Sequence, residues 1–309
     1  MKLLIELPTW LGDCVMATPA IENVVKQYNN QCEIIFIGSK SSVELMSMHP
    51  KCVNSYVLSK RIVKDISTIR SIKSIDIFIS FRSSKRTKLF YFFLDSKCKY
   101  QFNKKKFSSG HQVEKYNSFV QEALGINSPP GKLRIFRKEF NFSSELPLLG
   151  VNPGASYGSA KCWPYEKFVE VILTLSKKFD IVIFGGNKEV TLAKKIVRKL
   201  EENNCKISLN LAGKTTIEEL VDYISSLDLF ITGDSGPMHI ASAFQIPTIS
   251  IFGPTKVLET CQWKNDKSII IKKELPCQPC MKRVCPLGHH DCMKKISSEE
   301  VVNSALSLI

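Results

Sequence analysis

Short apolar runs alternate with helix-compatible stretches along most of the chain. Residues 2–7, 32–37, 55–58 and 75–81 read as strands. A helix from the turn at 8–13 to about residue 28, polar segments between the strands, and a helix near 113–124 supply the crossovers. Periodicity fades over 127–147, which holds Pro129, Pro130 and Gly131 and reads as a linker. It resumes with a strand at 148–151, a helix from about residue 165, a strand at 180–184 and helices to about 202 and over 217–226. Strands at 229–231 and 247–252 follow, and a last helix opens on a Ser297 and Glu300 capping box and closes at Ile309. Strand, glycine turn and helix in repetition predict the α/β class with two doubly wound domains, 1–143 and 144–309, the last helix packing back on the first.

The turns carry the candidate chemistry. In a parallel sheet the turn after a strand lies at the carboxyl edge, where open α/β folds bind ligands. The stretch 229–254, LFITGDSGPMHIASAFQIPTISIFGP, places Gly233, Gly236 and Pro237 at a helix start whose free N–H groups favour an anion, phosphate first. The alternative is that Asp234 or Ser235 only caps that helix. The loop 152–164, NPGASYGSAKCWP, sets glycines, hydroxyls and Lys161 before a helix and can cradle a phosphate, although it is not a Walker A loop. Glu189 follows a glycine pair and is placed to meet a ribose hydroxyl, or is surface charge. Asp13 sits in a first helical turn, as a helix-dipole partner or as a base facing a cleft.

Composition narrows the class. The 309 residues are 44% hydrophobic and 23% charged, ordinary for a globular protein, and contain no apolar run long enough to span a bilayer. The start MKLLIELP reads as a strand rather than a signal peptide, and eleven cysteines then point to a reducing compartment, the cytoplasm. The net charge of +14 is uneven: residues 60–115 hold fifteen Lys or Arg against four Asp or Glu, which points to a polyanionic partner. Within it, SSKRTKLFYFF at 83–93 reads either as a helix lying on an anionic membrane or as one packing Leu89, Phe90, Phe92 and Phe93 into the core. Cys277, Cys280, Cys285 and Cys292, with His289 and His290 between the last two, form either a compressed zinc knot or a compact loop.

Four blocks fall into one register. PTWLGDCVMATPAI, NPGASYGSAKCWP, TGDSGPMHIASA with FGPT after it, and CQPCMKRVCPLGHHDCM resemble, in order and spacing, the bacterial ADP-heptose:lipopolysaccharide heptosyltransferases of glycosyltransferase family 9. The PGASYGSAKCWP and CPLGHHDCM blocks are most similar to the heptosyltransferase II branch, which adds the second inner-core heptose. The resemblance implies a GT-B fold: two Rossmann-like domains facing across a cleft, the acceptor on the first and the ADP-sugar on the second. It implies inverting transfer of L-glycero-D-manno-heptose to an anionic lipid A inner core, at the cytoplasmic face of the inner membrane, by a peripherally bound enzyme using no cofactor, no metal and no nucleic acid.

Residue by residue, the resemblance puts the catalytic base on Asp13 and the phosphate-binding lysine on Lys161. It puts the donor on Ser156, Ser159, Lys161, Glu189, Asp234, Ser235, Gly236 and His239, and the acceptor on Trp10, Arg82, Lys85 and Arg86. The backbone at Ser235 and Gly236 is expected to meet the diphosphate, with Asp234 turned to a sugar hydroxyl. Cys162 departs from the pattern, in which an arginine or another polar residue often follows the lysine. Rival readings are heptosyltransferase I, another nucleotide-sugar transferase of the same family, and a basic zinc-containing protein that binds membrane or nucleic acid.

Overall fold

The computed structural model describes residues 1–59, 61–140, 142 and 144–308, and the chain divides into two compact units, Met1–Lys138 and Glu139–Ile309. The division falls a little ahead of the expected boundary after residue 143. That residue, Lys60 at the head of the basic segment and Ile309 lie outside the described residues.

The first unit runs β1 (Lys2–Glu6), α1 (Leu11–Gln27), β2 (Glu33–Gly38), α2 (Lys40–Met46), β3 (Cys52–Val57), α3 (Ile62–Ser71), β4 (Ile75–Ser80), α4 (Lys85–Phe93), β5 (Ser96–Gln101) and α5 (Gln112–Leu124). Its strands are parallel in the order β3-β2-β1-β4-β5. Central strands covered on both faces need apolar side chains at every position, which is why Leu3, Leu4 and Ile5 or Ile34 to Ile37 read as unbroken runs. The strand order reverses between β1 and β4, and their carboxyl ends open the crevice where such sheets take ligands. Helix α1 packs on α5, and α3 on α4.

Helix α4 divides its aromatics: Phe90 enters the core with Leu4, Ile35 and Phe78, whereas Phe92 is 83% exposed, so the expected burial of all four apolar residues does not hold. Residues after α5 still belong to this unit. Asn23, Asn117 and Gln121 donate side-chain hydrogen bonds to the Ser128 carbonyl, and Arg134 N–H donates to Thr18 Oγ1.

The second unit contains β6 (Leu148–Asn152), a 3-10 turn (Ser159–Lys161), α6 (Tyr165–Leu175), β7 (Asp180–Ile183), a 3-10 turn (Asn187–Glu189), α7 (Val190–Glu201), β8 (Leu209–Asn210), α8 (Ile217–Ser225), β9 (Leu229–Gly233), α9 (Gly236–Ala243), β10 (Thr248–Phe252), α10 (Val257–Thr260), β11 (Ser268–Lys272), α11 (Asp291–Lys294) and α12 (Ser298–Leu306). The parallel order β11-β10-β9-β6-β7-β8 is that of a dinucleotide-binding fold, reversing between β6 and β9. Both units are thus the doubly wound, Rossmann-like sheets that the sequence predicts.

The buried face of the last helix, Val301, Val302 and Ala305, joins the second unit's own core beside α6. Its start is half the expected capping box: Ser297 Oγ accepts the Glu300 N–H at 3.1 Å, while the Glu300 carboxylate turns to Lys273 at 2.7 Å.

Candidate functional site

In the first unit the groups gather at the carboxyl ends of β1 and β4. The turn from β1 into α1 is fixed by α2, whose Ser42 and Ser39 hydroxyls donate to the carbonyls of Pro8 (2.5 Å) and Thr9 (2.9 Å). Trp10, the residue before the helix, is 54% exposed and makes no side-chain cap. Asp13 is half-buried in the first turn. Its negative charge is felt by two buried neighbours: the Tyr116 hydroxyl is pushed well up, first by burial and then by Asp13, and burial pushes the Cys14 thiol up to about 12 with a contribution from Asp13.

Glu6 is fully buried at the end of β1 and accepts from Ser80 Oγ (2.6 Å) and Thr87 Oγ1 (2.7 Å), with Arg82 Nη1 at 3.4 Å. Burial raises its carboxyl above the ordinary value despite these partners. Gln101 holds the following loop through the Arg82 and Ser84 carbonyls, both at 2.9 Å. Lys85 is exposed. Arg86, expected to meet the acceptor, is engaged inside the unit: its guanidinium donates to the Ser59 carbonyl at 2.8 Å, pairs with the buried Asp65 and lies over the Phe90 ring. Sequence gave no sign of this, because Asp65 is one of only four acids among the fifteen bases of that segment.

In the second unit the carboxyl ends of β6 and β9 bring together residues far apart in the chain. Lys161 Nζ donates to Asp234 Oδ2 at 2.5 Å and to the Asp234 carbonyl at 3.1 Å, and Thr255 Oγ1 donates to the same Oδ2 at 2.7 Å. The expectation had parted these two residues, Lys161 for phosphate and Asp234 for sugar; the structure couples them. The helix start behind them stays open. Ser235 stands before α9 without a capping bond, its hydroxyl taken up with Thr232 and with Asn152 Nδ2 (3.2 Å each), and the Asp234 carboxylate points to lysine and threonine. The capping alternative therefore fails, and no side-chain cap offsets the partial positive charge of the helix start at Gly236.

Ser156 and Ser159 lie exposed on the loop before Lys161, and His239 is buried in α9. Glu189 is half-buried against the glycine turns: a Cβ at Gly154 would stand 2.1 Å from Glu189 Cγ, so only glycine leaves room for this carboxylate at the end of β7. Asn152, Tyr157 and Thr255 were not singled out from sequence. A signal was present for Asn152, a polar residue closing a buried strand.

The four clustered cysteines line one small cavity with His289, His290 and Ala160. Both imidazoles have other partners, His290 with the Ala160 carbonyl at 2.9 Å and His289 with Asp291 at 3.4 Å. Cys292 is pushed up by burial and then by the other three thiols, and Cys285 is drawn down by backbone N–H groups, led by that of His290. Among the described residues no group of three or more His, Cys, Asp or Glu is arranged to hold a metal ion. What the loop does hold is the Lys161 turn: Tyr157 OH donates to the Met281 carbonyl (2.7 Å) and Ala160 N–H to the Arg283 carbonyl (3.0 Å).

The model of glycosyltransferase family 9 (heptosyltransferase) matches residues 68–290. Lipooligosaccharide heptosyltransferase 2 of Campylobacter jejuni is 40% identical over 318 residues, covering 100% of this chain and 98% of that protein. The solved structure of E. coli ADP-heptose lps heptosyltransferase II superposes with a TM-score of 0.81 at 22% identity, covering 100% of this chain and 98% of the other. E. coli heptosyltransferase WaaC with ADP gives 0.77 at 14% identity, with 100% of both chains covered. The two structural likenesses establish a shared fold, the GT-B fold that the resemblance implied.

Proposed function

The chain belongs to glycosyltransferase family 9, the heptosyltransferases, and from that premise we propose that it transfers L-glycero-D-manno-heptose from ADP-heptose to the lipopolysaccharide or lipooligosaccharide inner core, adding the second heptose. The observation that carries this reading is the 40% identity, end to end, with a protein named lipooligosaccharide heptosyltransferase 2.

The chemistry follows from the residues. An acceptor hydroxyl attacks the anomeric carbon, the bond to the ADP oxygen breaks with inversion, and Asp13 takes the hydroxyl proton. An ordinary aspartate, with a pKa of ~3.9, is a weak base for an alcohol, so bond breaking runs ahead of proton transfer and the sugar becomes oxocarbenium-like. Stabilising the departing diphosphate then carries much of the rate, through Lys161 and the open N–H groups at the start of α9. Glu189 takes the ribose, Ser156 and Ser159 the phosphate oxygens, and His239 belongs to the same donor-binding set. Lys161, held by Asp234, whose carboxylate Thr255 fixes in turn, is oriented before the donor arrives, which removes part of the entropy cost of ordering it.

The acceptor is the anionic core of a lipid, met by Trp10, Arg82 and Lys85. The enzyme works peripherally at the cytoplasmic face of the inner membrane. In support, Lys85 and Lys88 are exposed on α4 together with Phe92 (83% exposed), and Val63 on the neighbouring α3 is 78% exposed. Basic residues interspersed with exposed apolar ones suit an anionic bilayer surface. Among the described residues no helix is long and apolar enough to cross a membrane. The direct test is mass spectrometry of a mono-heptosylated inner core after incubation with ADP-heptose: one added heptose is expected, and an unchanged acceptor contradicts the reading.

A further inference from the structure

The charge at the Lys161 turn does not suffice for a diphosphate. A sugar ester of a nucleoside diphosphate carries about two negative charges at neutral pH, by the same ionisation that gives other phosphates their charge. Lys161 is already matched by Asp234 at 2.5 Å, so that pair is neutral as a unit. A helix start offers a fixed charge of roughly half a unit. A further cation is required, and it has to stand on the same turn.

Arg283 meets that requirement. Its guanidinium lies over the Tyr157 ring, 5.6 Å from the centroid, and the Lys161 ammonium lies over the same ring at 4.8 Å. Its side chain is exposed and, among the described residues, makes no ion pair. Its main chain is fixed to the turn, with the carbonyl accepting from Ala160 N–H at 3.0 Å. Gly158, at φ +153°, has the Arg283 carbonyl oxygen 2.3 Å from where a Cβ would be, so the contact excludes any side chain at 158. The same loop is tied to the other side of the Lys161 and Asp234 pair, Met281 N–H donating to the Pro254 carbonyl at 2.9 Å next to Thr255. The cysteine-rich loop thus presents an unneutralised guanidinium at a set place beside the lysine.

We infer that Arg283 is a second cation of the donor site and closes on a diphosphate oxygen that Lys161, held by Asp234, does not neutralise. The inference rests on the reading that this turn takes an ADP-sugar. Guanidinium suits the task because it can bind phosphate oxygens in a fork and is already stacked on an aromatic face.

The test is calorimetric titration of the full chain and its Arg283→Gln and Arg283→Lys variants with ADP and with adenosine, at two salt concentrations. Arg283→Gln is expected to weaken ADP by about 10-fold or more, the size of one charge-assisted hydrogen bond, with a shallower salt dependence and adenosine affinity within about two-fold. Arg283→Lys is expected to recover part of the loss. Unchanged ADP affinity in Arg283→Gln overturns the inference, as does an equal weakening of ADP and adenosine, which marks damage to the loop. Failure of the unaltered chain to bind ADP removes the donor reading itself, a different result from binding that is indifferent to residue 283.

Discussion

Lys161 and Asp234 stand 73 residues apart in the chain, yet the ammonium and carboxylate meet at 2.5 Å with only 12% and 6% of their side-chain surfaces exposed. Parallel pairing of β6 with β9 makes the contact, since each residue follows the carboxyl end of one of those strands. Removing one partner of a buried pair leaves the other charge uncompensated, at a cost of roughly 3 kcal/mol or more, whereas removing both costs far less. Asp234→Ala and Lys161→Ala are each expected to lower Tm by roughly 6–12 °C for a unit of this size. The double variant should fall well short of the sum, and additive losses in thermal denaturation would show that the two charges do not depend on each other.

Asp13 and Lys161 belong to different parts of the reaction. Asp13→Asn should cut turnover by about 10²–10⁴-fold, the usual contribution of a general base, with ADP affinity little changed. Lys161→Ala should weaken ADP and also lower turnover, by ~10²-fold or more. Equal losses of ADP affinity in both variants, measured by titration, would contradict this division.

Arg82, Lys85 and Arg86 are neighbours in sequence with unlike surroundings. Lys85→Ala and Arg82→Ala should raise the KM for the acceptor, most strongly at low salt, while Arg86→Ala should lower Tm and leave acceptor KM near its original value, because Arg86 is held by Asp65 and Ser59. A raised acceptor KM in Arg86→Ala without loss of stability would return that residue to the binding surface.

Glu6 gives a pH dependence of defined sign. Its carboxyl is raised by burial above the ordinary 4.5, so between 4.5 and its folded value the native chain binds more protons than the unfolded chain. The favourable contribution is complete below about pH 4.5 and is lost as pH rises through the folded value. Relative to the original protein, Glu6→Gln should therefore gain in Tm as pH is raised from about 4.5 toward neutrality. A Tm difference independent of pH would mean that Glu6 titrates as it does in the unfolded chain.

Most of the fold could be read from the chain because buried parallel strands need continuous apolar runs, and β1, β2, β4, β6, β9 and β10 have them. The strands that escaped notice are edge or short ones. In β5 the sequence SKCKYQ pairs with β4 on one side only, so Lys97 can lean out to Asp76 and no apolar run marks the element. Three glycine turns and Lys161 were visible because phosphate loops have a local signature. The coupling of Lys161 to Asp234 and the withdrawal of Arg86 by Asp65 were not, since both pairings are set by how separate strands and helices come together rather than by neighbours in sequence.

The most direct test of the whole account is release of ADP from ADP-heptose by the purified protein in the presence of a chelator, with mono-heptosylated and heptose-free inner cores tested side by side. Release with the mono-heptosylated acceptor alone is expected. Release with the heptose-free core would make the protein the enzyme of the first heptose, and no release with either would contradict the assigned donor.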